Sequence, residues 1–163
     1  AKYTFFTAAL ERGAARVFGV LTHAVHLVAR SAQAQVWMQQ RALSKATDPG
    51  LWDTLSGGLL SAGDTLQGGL MRETYEEAGL LPDDLMALQA HGMVQQMRTV
   101  NDGLILEAVW TYSAVVKDGV KPRNMDGEVM GFACMPVDEV AQLVAAQRVT
   151  KEASLALRMA GVI

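Results

Sequence analysis

The sequence contains only one cysteine and no long uninterrupted apolar run, and each shortage excludes a class of protein. Cys134 has no second cysteine with which to form a disulfide inside the chain, which fits the reducing cytoplasm. The apolar stretch 17–28 is interrupted by His23 and His26 and is too short to span a bilayer. No signal-peptide pattern precedes it. We therefore expect a cytoplasmic protein without a membrane partner.

Clusters of cationic and aromatic residues are also missing. The formal net charge is −3, and no window concentrates Lys and Arg together with aromatics, so we predict no nucleic-acid-binding surface. A chain of 163 residues that is 50% hydrophobic can form one full core and is too short for two ordinary domains. We expect a single domain over 1–163. The sequence leaves the oligomeric state open, a homodimer included.

Acidic residues, by contrast, concentrate in the segment 58–80, which reads GLLSAGDTLQGGLMRETYEEAGL. This segment carries the signals of a helix. Asp64 can serve as the N-cap, with Gln67 three positions later, and Gly79 stands where a left-handed C-terminal cap is expected. At about 100° per residue, one side of the helix is largely apolar and is predicted to face the core, while the other side looks outward.

The outward side of this helix breaks the rules of helix stability. Arg72, Glu73 and Glu76 gather there, with Glu77 at the border. Glu73 and Glu77 are like charges at i,i+4, which costs roughly 0.2–0.5 kcal/mol, and anions near the helix C-terminus cost roughly 0.3–1 kcal/mol more. A solvated charged face is the ordinary explanation for such a cluster. A divalent cation held by the carboxylates would offset the repulsion, with Arg72 orienting Glu76, so we predict a metal site.

The spacing of these residues resembles the signature of the Nudix hydrolase family. That signature is Gly, five residues, Glu, seven residues, Arg-Glu, an apolar position, any residue, Glu-Glu, any residue, Gly and an apolar residue. The residues in register are Gly58, Arg72, Glu73, Glu76, Glu77, Gly79 and Leu80. Two positions depart from it: Asp64 replaces the usual Glu, and Thr74 occupies the apolar position. The resemblance implies the α/β Nudix fold, an α/β/α sandwich with a mixed β-sheet, and hydrolysis of a diphosphate linkage in a small molecule.

Three further segments resemble the Nudix domains related to the one fused to thiamine pyrophosphokinase. They are Arg12–Leu27, Arg41–Gly58 and Pro122–Val140. In that subgroup a Lys, a Pro-Gly and a Gly-Gly precede the signature, and an Asp-Gly-Glu-Val run follows it. This resemblance suggests a thiamine diphosphate-like substrate, with nucleoside diphosphate derivatives as the general alternative.

The family resemblance also implies the roles of the site residues. The expected cofactor is Mg²⁺, with Mn²⁺ as a substitute, and its ligands would be the side chains of Glu73, Glu76 and Glu77 and the backbone carbonyl of Gly58. One of these glutamates, or a later one, would act as general base, and the resemblance leaves open which. Glu128 stands where several Nudix enzymes carry an additional metal-binding or basic glutamate, and a charge at a loop edge is the alternative interpretation. Arg72 would stand beside them as a further catalytic residue.

Several other polar residues have two readings. Arg41 and Lys45 precede the signature and could hold a terminal phosphate, or they could be surface charges. Glu107 interrupts an apolar run, and the solvent face of a strand is favoured for it over a position facing the site. His23 and His26 are three apart in a predicted strand, so they should point to opposite faces and form no chelating pair.

Two other function classes remain open. Isopentenyl-diphosphate isomerases share the Nudix fold, but they use a cysteine just before the signature glycine, where this chain has Gly57. A non-catalytic Nudix-like binding module usually lacks one or more of the signature acids, and here only the departure at Asp64 favours it.

Hydrophobic periodicity and turn residues predict the remaining elements. Strands are expected around 15–29, 34–41, 87–99, 103–116 and 128–135. A Pro-Gly turn at 49–50 and a glycine-bearing loop at 56–63 lead into the signature helix. Later helices are predicted at Val137–Ala146 and Thr150–Ala160, and exposed connections at Ser31–Ala34, Asn101–Gly103 and Lys117–Asn124.

Overall fold

The structure is a computed structural model that describes residues 10–101 and 103–163, without the side chains of Arg12 and Gly13. The helices are α1 (Arg12–Phe18), α2 (Leu66–Ala78), α3 (Val137–Ala145) and α4 (Lys151–Met159), with one 3₁₀ turn at Pro82–Asp84. The strands are β1 (Thr22–Arg30), β2 (Val36–Arg41), β3 (Trp52–Asp53), β4 (Ser56–Leu59), β5 (Leu85–Val100), β6 (Gly103–Val116) and β7 (Val129–Met135). None of the helices in the described ranges is long and apolar enough to cross a membrane.

The described strands form one mixed sheet. Its main path runs β3-β2-β1-β6-β5, while β4 pairs with β1 and β7 pairs with β2. The β1–β6 pair is parallel, and the other strand pairs are antiparallel. This arrangement confirms the predicted mixed α/β fold.

Strand β1 supplies side chains to a core on each face of the sheet, because successive residues of a strand point to opposite faces. Leu27 packs in one core with Leu70 of α2. Val28 packs in the other core with Val140 of α3 and Leu157 of α4. Helices therefore cover both faces, and α2, which carries the signature, lies on the face opposite α3 and α4.

The predicted strand at 15–29 begins too early. Residues 12–18 form α1 instead, and this helix ends at Gly19, whose φ of 60° is in the left-handed region. The Gly19 N–H donates to the carbonyl of Arg16, as in a helix-ending turn. The strand starts three residues later at Thr22, because the left-handed glycine ends one element before the next can begin.

The predicted loop at 56–63 is half strand. Ser56–Leu59 forms β4, in which Gly57 pairs with His26 and Gly58 pairs with Val25 of β1. Pairing with the buried central strand fixes the position of the glycine backbone just before the functional helix. Of the predicted connections, Ser31–Ala34 and Lys117–Asn124 lie outside strands and helices, whereas Asp102 falls outside the described residues.

The N-cap of α2 is Thr65 and not Asp64, so the predicted capping box with Gln67 is wrong. The Thr65 side chain accepts a hydrogen bond from the Gly68 N–H at 3.0 Å. Asp64 instead accepts from the Ser61 N–H at 2.9 Å and is drawn to an arginine on the helix. The C-terminal prediction is confirmed, since Gly79 ends the helix in the left-handed conformation with φ of 65°.

Candidate active site

A cavity of about 430 Å³ is lined by residues of the sheet and by Glu73 and Glu77 of α2. Its volume falls in the range of roughly 300–1,000 Å³ that is typical of small-molecule sites. Residues of α2, β4 and β1 line one part, including Glu73, Glu77 and Gly58. The segment 41–48 and parts of β6 and α4 line the rest.

Glu77 lies at the bottom of this cavity and is 4% exposed. Its Oε2 accepts hydrogen bonds from the Gly57 N–H and from Gln39 Nε2, both at 2.9 Å. Burial raises the pKa of Glu77 to about 8, because the two hydrogen bonds do not outweigh desolvation and the nearby charges of Asp53 and Glu73 act in the same direction as burial. A cation at this position would favour the ionised form.

Arg72 connects the acids along the helix. Its Nη1 donates to Glu73 Oε1 at 2.7 Å and to Glu76 Oε2 at 3.0 Å, which is the contact predicted from the i,i+4 spacing. Its Nη2 donates to Asp64 Oδ2 at 2.9 Å and to the Leu59 carbonyl at 3.3 Å. Burial alone would lower the pKa of Arg72, but the three carboxylates outweigh it and raise the pKa, so Arg72 remains a cation.

The charged side of α2 does not look outward as a whole, which corrects the prediction. Glu73 and Glu77 are buried, and only Glu76 of the three glutamates is largely exposed. The cause is tertiary packing: β4 lies against this side of the helix and encloses the carboxylates of Glu73 and Glu77. Within residues 10–101 and 103–163, no three His, Cys, Asp or Glu side chains already converge in the manner of a metal site.

The departure at Asp64 has a structural account. The carboxylate accepts hydrogen bonds from the Ser61 backbone and from Arg72, and these contacts lower the pKa of Asp64. Asp64 therefore stays ionised and holds the far side of the Arg72 guanidinium. The shorter side chain reaches the arginine and not the interior of the cavity, whose lining does not include it.

Gly58 allows the chain to pass close to Glu73. A Cβ atom built at this position would lie 2.2 Å from Glu73 Cδ and 2.2 Å from its Oε2. Real Cβ atoms do not approach other atoms so closely, so the carboxylate fits there only because residue 58 has no side chain. The signature residues Gly58 and Glu73 thus pack directly against each other.

The oxygen ligands around Glu77 suit a divalent cation. Gln39 is buried, and its amide nitrogen must face the Glu77 carboxylate, which accepts its hydrogen bond. The other amide atom, Oε1, is buried without a hydrogen-bond partner, and a buried carbonyl oxygen without a partner is costly. Gln39 does not line the cavity, whereas Glu73 and Glu77 do, and their carboxylate oxygens are the hard ligands that Mg²⁺ and Mn²⁺ prefer.

Two of the predicted site residues bind each other. Lys45 and Glu128, which are far apart in sequence, form an ion pair through Nζ and Oε2. Both residues line the cavity. Arg41 also lines it, and its guanidinium is held by Asp53 Oδ2 at 3.2 Å and by the Thr47 carbonyl at 3.0 Å.

Comparison with known proteins decides the family. Residues 20–156 match the family model described as NUDIX domain. The chain belongs to the Nudix family. Two relatives from Arabidopsis thaliana are named Nudix hydrolase 20, chloroplastic, and Nudix hydrolase 24, chloroplastic. Each match covers 83% of this chain with 34% sequence identity. The matches cover only 37% and 38% of those two proteins, so the chain spans less than two fifths of their length.

A solved Nudix structure supports the fold. The NUDIX domain of Shewanella oneidensis NrtR, solved in complex with ADP ribose, matches with a TM-score of 0.66 and 18% sequence identity. The match covers 85% of this chain and 84% of the solved chain. At this identity, the likeness concerns the fold of the Nudix domain.

A second polar cluster in the cavity lies outside the Nudix signature and was not predicted from the sequence. The interpretation of Glu107 as a solvent-facing strand residue is wrong, because it is 9% exposed and faces the cavity. Gln96 Nε2 of β5 donates to Glu107 and to Glu152 of α4. Arg98 Nη2 lies 2.7 Å from Asp48 Oδ2 and 3.4 Å from Glu152 Oε1. A lone charged residue within the apolar strand β6 was the available signal, but its partners come from distant segments.

The two histidines of β1 have separate environments. His26 is buried and lines the cavity, with its Nδ1 3.0 Å from Thr54 Oγ1 and 3.7 Å from Asp53 Oδ1. His23 stacks on Trp110, whose Nε1 donates to His23 Nδ1 at 3.0 Å. His26 therefore belongs to the polar floor of the Nudix cavity, and His23 does not line it.

The buried Glu107 should impose a pH-dependent cost on folding. Burial, together with the charge of Glu152, raises the pKa of Glu107 from 4.5 to about 7. The folded state therefore binds a proton more tightly than the unfolded state, and stability falls as pH rises from the lower value to the higher one. We expect Glu107→Gln, which resembles the protonated form, to raise the free energy of unfolding at pH 8 by an amount on the order of 1–3 kcal/mol. At pH 4.5 the gain should be much smaller.

Glu152→Gln is the matched control. The charge of Arg98 and the hydrogen bonds from Gln96 and its own backbone outweigh burial and lower the pKa of Glu152. Its stabilising effect is present above the ordinary pKa of 4.5 and is lost as pH falls below it, so this variant should be destabilised at pH 8. Urea unfolding at both pH values measures the two effects. If both variants changed the free energy of unfolding in the same direction at pH 8, the opposite pKa shifts assigned to Glu107 and Glu152 would be contradicted.

Proposed function

We propose that this Nudix domain is a Mg²⁺-dependent hydrolase of a diphosphate linkage in a small-molecule substrate. The observation that carries the proposal is the meeting of two buried carboxylates, Glu73 and Glu77, with the signature Gly58 and the preceding Gly57 in the cavity. Such a concentration of buried negative charge is costly without a cation.

The charged residues of the Nudix signature and the glycine that opens it have the following roles in this proposal. Glu73, Glu76 and Glu77 would hold the ion, with the Gly58 carbonyl as a further ligand; Gly58, Glu73 and Glu77 line the cavity, whereas Glu76 is largely exposed beside Arg72. When bound, the ion supplies neutralisation of the anionic diphosphate oxygens and a lower pKa for the attacking water. Gly57 and Gln39 position Glu77 through their hydrogen bonds, whereas Arg72 positions Glu73 and Glu76.

The mouth of the cavity supplies positive charge for the substrate. Lys45 and Arg41 bind the terminal phosphate in this proposal, because a diphosphate presents more negative charge than one carboxylate can. Glu128 lies at the same rim, beside Lys45, where it acts as an additional metal ligand or as general base once Lys45 has moved to the phosphate. One of the signature glutamates is the alternative base.

Two substrate classes suit this site. The NrtR Nudix domain binds ADP ribose, which supports a nucleoside diphosphate derivative. The resemblance of the segments around the signature to thiamine pyrophosphokinase-fused Nudix domains supports a thiamine diphosphate-like compound.

The isomerase alternative meets a steric objection. Isopentenyl-diphosphate isomerases carry a cysteine where this chain has Gly57, and a Cβ atom at Gly57 would lie 2.6 Å from His26 Nδ1. Cys134 lies on β7 opposite Trp37 and does not line the cavity. Hydrolysis is therefore the better-supported reaction, and a binding module without catalysis is the second candidate because of Asp64.

A direct assay separates the three classes. The protein is incubated with Mg²⁺ and a panel of diphosphates that includes nucleoside diphosphate derivatives, thiamine diphosphate and isopentenyl diphosphate. Phosphate or monophosphate release that disappears in EDTA supports the hydrolase. Isomerisation without phosphate release supports the isomerase, and binding without turnover supports the non-catalytic module.

The role of Lys45 can be measured by ligand binding. Lys45→Ala should weaken binding of a diphosphate ligand by about 1.5–3 kcal/mol, the scale of a hydrogen bond to a charged group. Its present partner is an exposed carboxylate, and such surface pairs contribute only about 0–1 kcal/mol, so exchange for phosphate is favourable. Metal affinity without substrate should change much less. Calorimetric titration, with the exposed Lys121→Ala as control, decides this; unaltered affinity would return Lys45 to the role of a surface charge.

A further inference from the structure

Glu107 is a buried carboxylate in the cavity for which the proposed hydrolysis has no use. It lies on β6 between Thr22 of β1 and Gln96 of β5, and its side chain lines the cavity. More than nine tenths of the residue is inaccessible to solvent. Such a group is costly to keep unless a ligand or a protein partner compensates for its burial.

The protein compensates Glu107 only in part. Gln96 Nε2 donates to its Oε1 at 3.3 Å and donates at the same time to Glu152 Oε1. No ion pair to Glu107 forms within the described ranges, because the nearby cation Arg98 pairs with Asp48 and Glu152. One amide nitrogen thus serves two carboxylates, and Glu107 Oε2 has no hydrogen bond to another described residue.

The surroundings of Glu107 define its chemistry. Arg98 from β5, Arg16 from α1 and Glu152 from α4 are the charged groups that act on it, and Glu152 is in turn influenced by His26 of β1. Burial and the charge of Glu152 raise the pKa of Glu107 to about 7, although the two arginines act in the opposite direction. Around neutral pH, the group still offers at least one lone pair to a donor that enters the cavity.

We propose that Glu107, assisted by Gln96 and Glu152, is a specificity-determining residue that accepts a hydrogen bond from an N–H group, such as an amino group on a nitrogen heterocycle, in the leaving portion of the substrate. This inference rests on the proposed diphosphate hydrolysis, because the ligand is oriented by its diphosphate at Glu73 and Glu77. Both regions line the same cavity. A buried acceptor left unpaired costs more than a paired one gains, so the site rejects ligands that lack the donor.

The test uses pairs of ligands that differ only in the donor. The pairs are ADP with purine riboside diphosphate and CDP with pyrimidin-2-one riboside diphosphate, in which hydrogen replaces the amino group. Affinities are measured with the full chain and Mg²⁺, under conditions where turnover is negligible, for wild type and Glu107→Met. Methionine is similar in length and has no strong acceptor.

In wild type, at least one amino ligand should bind about ten-fold or more tightly than its partner, which is the scale of a hydrogen bond to a charged group. In Glu107→Met that preference should disappear while the affinity of the amino-free ligand stays within about two-fold. Glu107→Gln, which keeps an acceptor oxygen, should restore part of the preference. In turnover, the substitutions should raise KM and leave kcat nearly unchanged, because Glu107 does not touch the reacting phosphorus.

Equal affinities within both pairs in wild type, or a preference that survives in Glu107→Met, would overturn the proposal. A merely structural role for Glu107 predicts a parallel loss for both members of a pair. Failure of the proposed function looks different, because then no diphosphate ligand would be hydrolysed, whatever its heterocycle and whether or not it binds. Circular dichroism and urea unfolding of both variants establish that each has folded.

Discussion

Replacing Glu77 with Gln should reduce Mg²⁺-dependent hydrolysis by about a hundred-fold or more, the loss expected when a key electrostatic group is removed. A neutral amide supplies one weak oxygen ligand where the carboxylate supplies a charged one. Folding should persist, since the amide oxygen can still accept from Gly57 and Gln39 and since the substitution removes a costly buried charge. The comparable variant Glu76→Gln should also lose activity.

Phosphate release with Mg²⁺, with and without EDTA, checks this result. Asp83→Asn is the matched control, because it removes an exposed carboxylate that does not line the cavity. Full activity in EDTA, or wild-type turnover by both glutamine variants, would rule out the metal-dependent mechanism.

The second large effect is expected from adding one methyl group. In Gly58→Ala, the new Cβ would lie 2.2 Å from the Glu73 carboxylate, which must therefore move away. Movement of a flexible side chain costs little stability, so the melting temperature should change only slightly. A misplacement of about 1 Å in a catalytic group can reduce the rate by about a hundred-fold, and we expect a loss of that order in kcat/KM.

The control for this variant is Gly131→Ala. Gly131 also lies in a strand, and a Cβ atom there would have no other atom within 4 Å, so activity should be retained. Wild-type kcat/KM for Gly58→Ala would show that the close approach of Gly58 and Glu73 has no catalytic importance. A large fall in melting temperature would instead indicate that the backbone, and not the carboxylate, has yielded.

Local sequence rules predicted α2 well because its signals act over short distances. The left-handed Gly79 and the i,i+4 contact between Arg72 and Glu76 both follow from helix geometry. The N-cap was misassigned because Asp64 and Thr65 are adjacent, both types can cap a helix, and Asp is the more favoured of the two. The two residues differ because Asp64 forms an ion pair with Arg72, which lies eight residues later on the helix. Rules for N-capping consider only the first turn of a helix and therefore do not predict this contact.

The second half of the cavity could not be predicted for a different reason. The alternation of β6 assigns Glu107 to one face of the sheet, but it does not say what covers that face. Glu107 accepts a hydrogen bond from Gln96 of β5, and the same amide donates to Glu152 of α4, which stands 45 positions after Glu107 in the chain. Long-range pairing, and not local propensity, turns an isolated acid in an apolar strand into part of a site.

The parallel pairing of β1 and β6 has a consequence for how the protein reaches its native state. Thr22 lies opposite Glu107 in this pair, so the loop that must close between them contains about half of the chain. Contacts of such high sequence separation slow folding, because the chain entropy is lost before the contacts form. During synthesis, the central strand emerges long before its parallel neighbour and has an unpaired edge until residues 103–116 arrive. We therefore expect the cavity to be assembled late, and conditions that delay β6 should favour aggregation over correct folding.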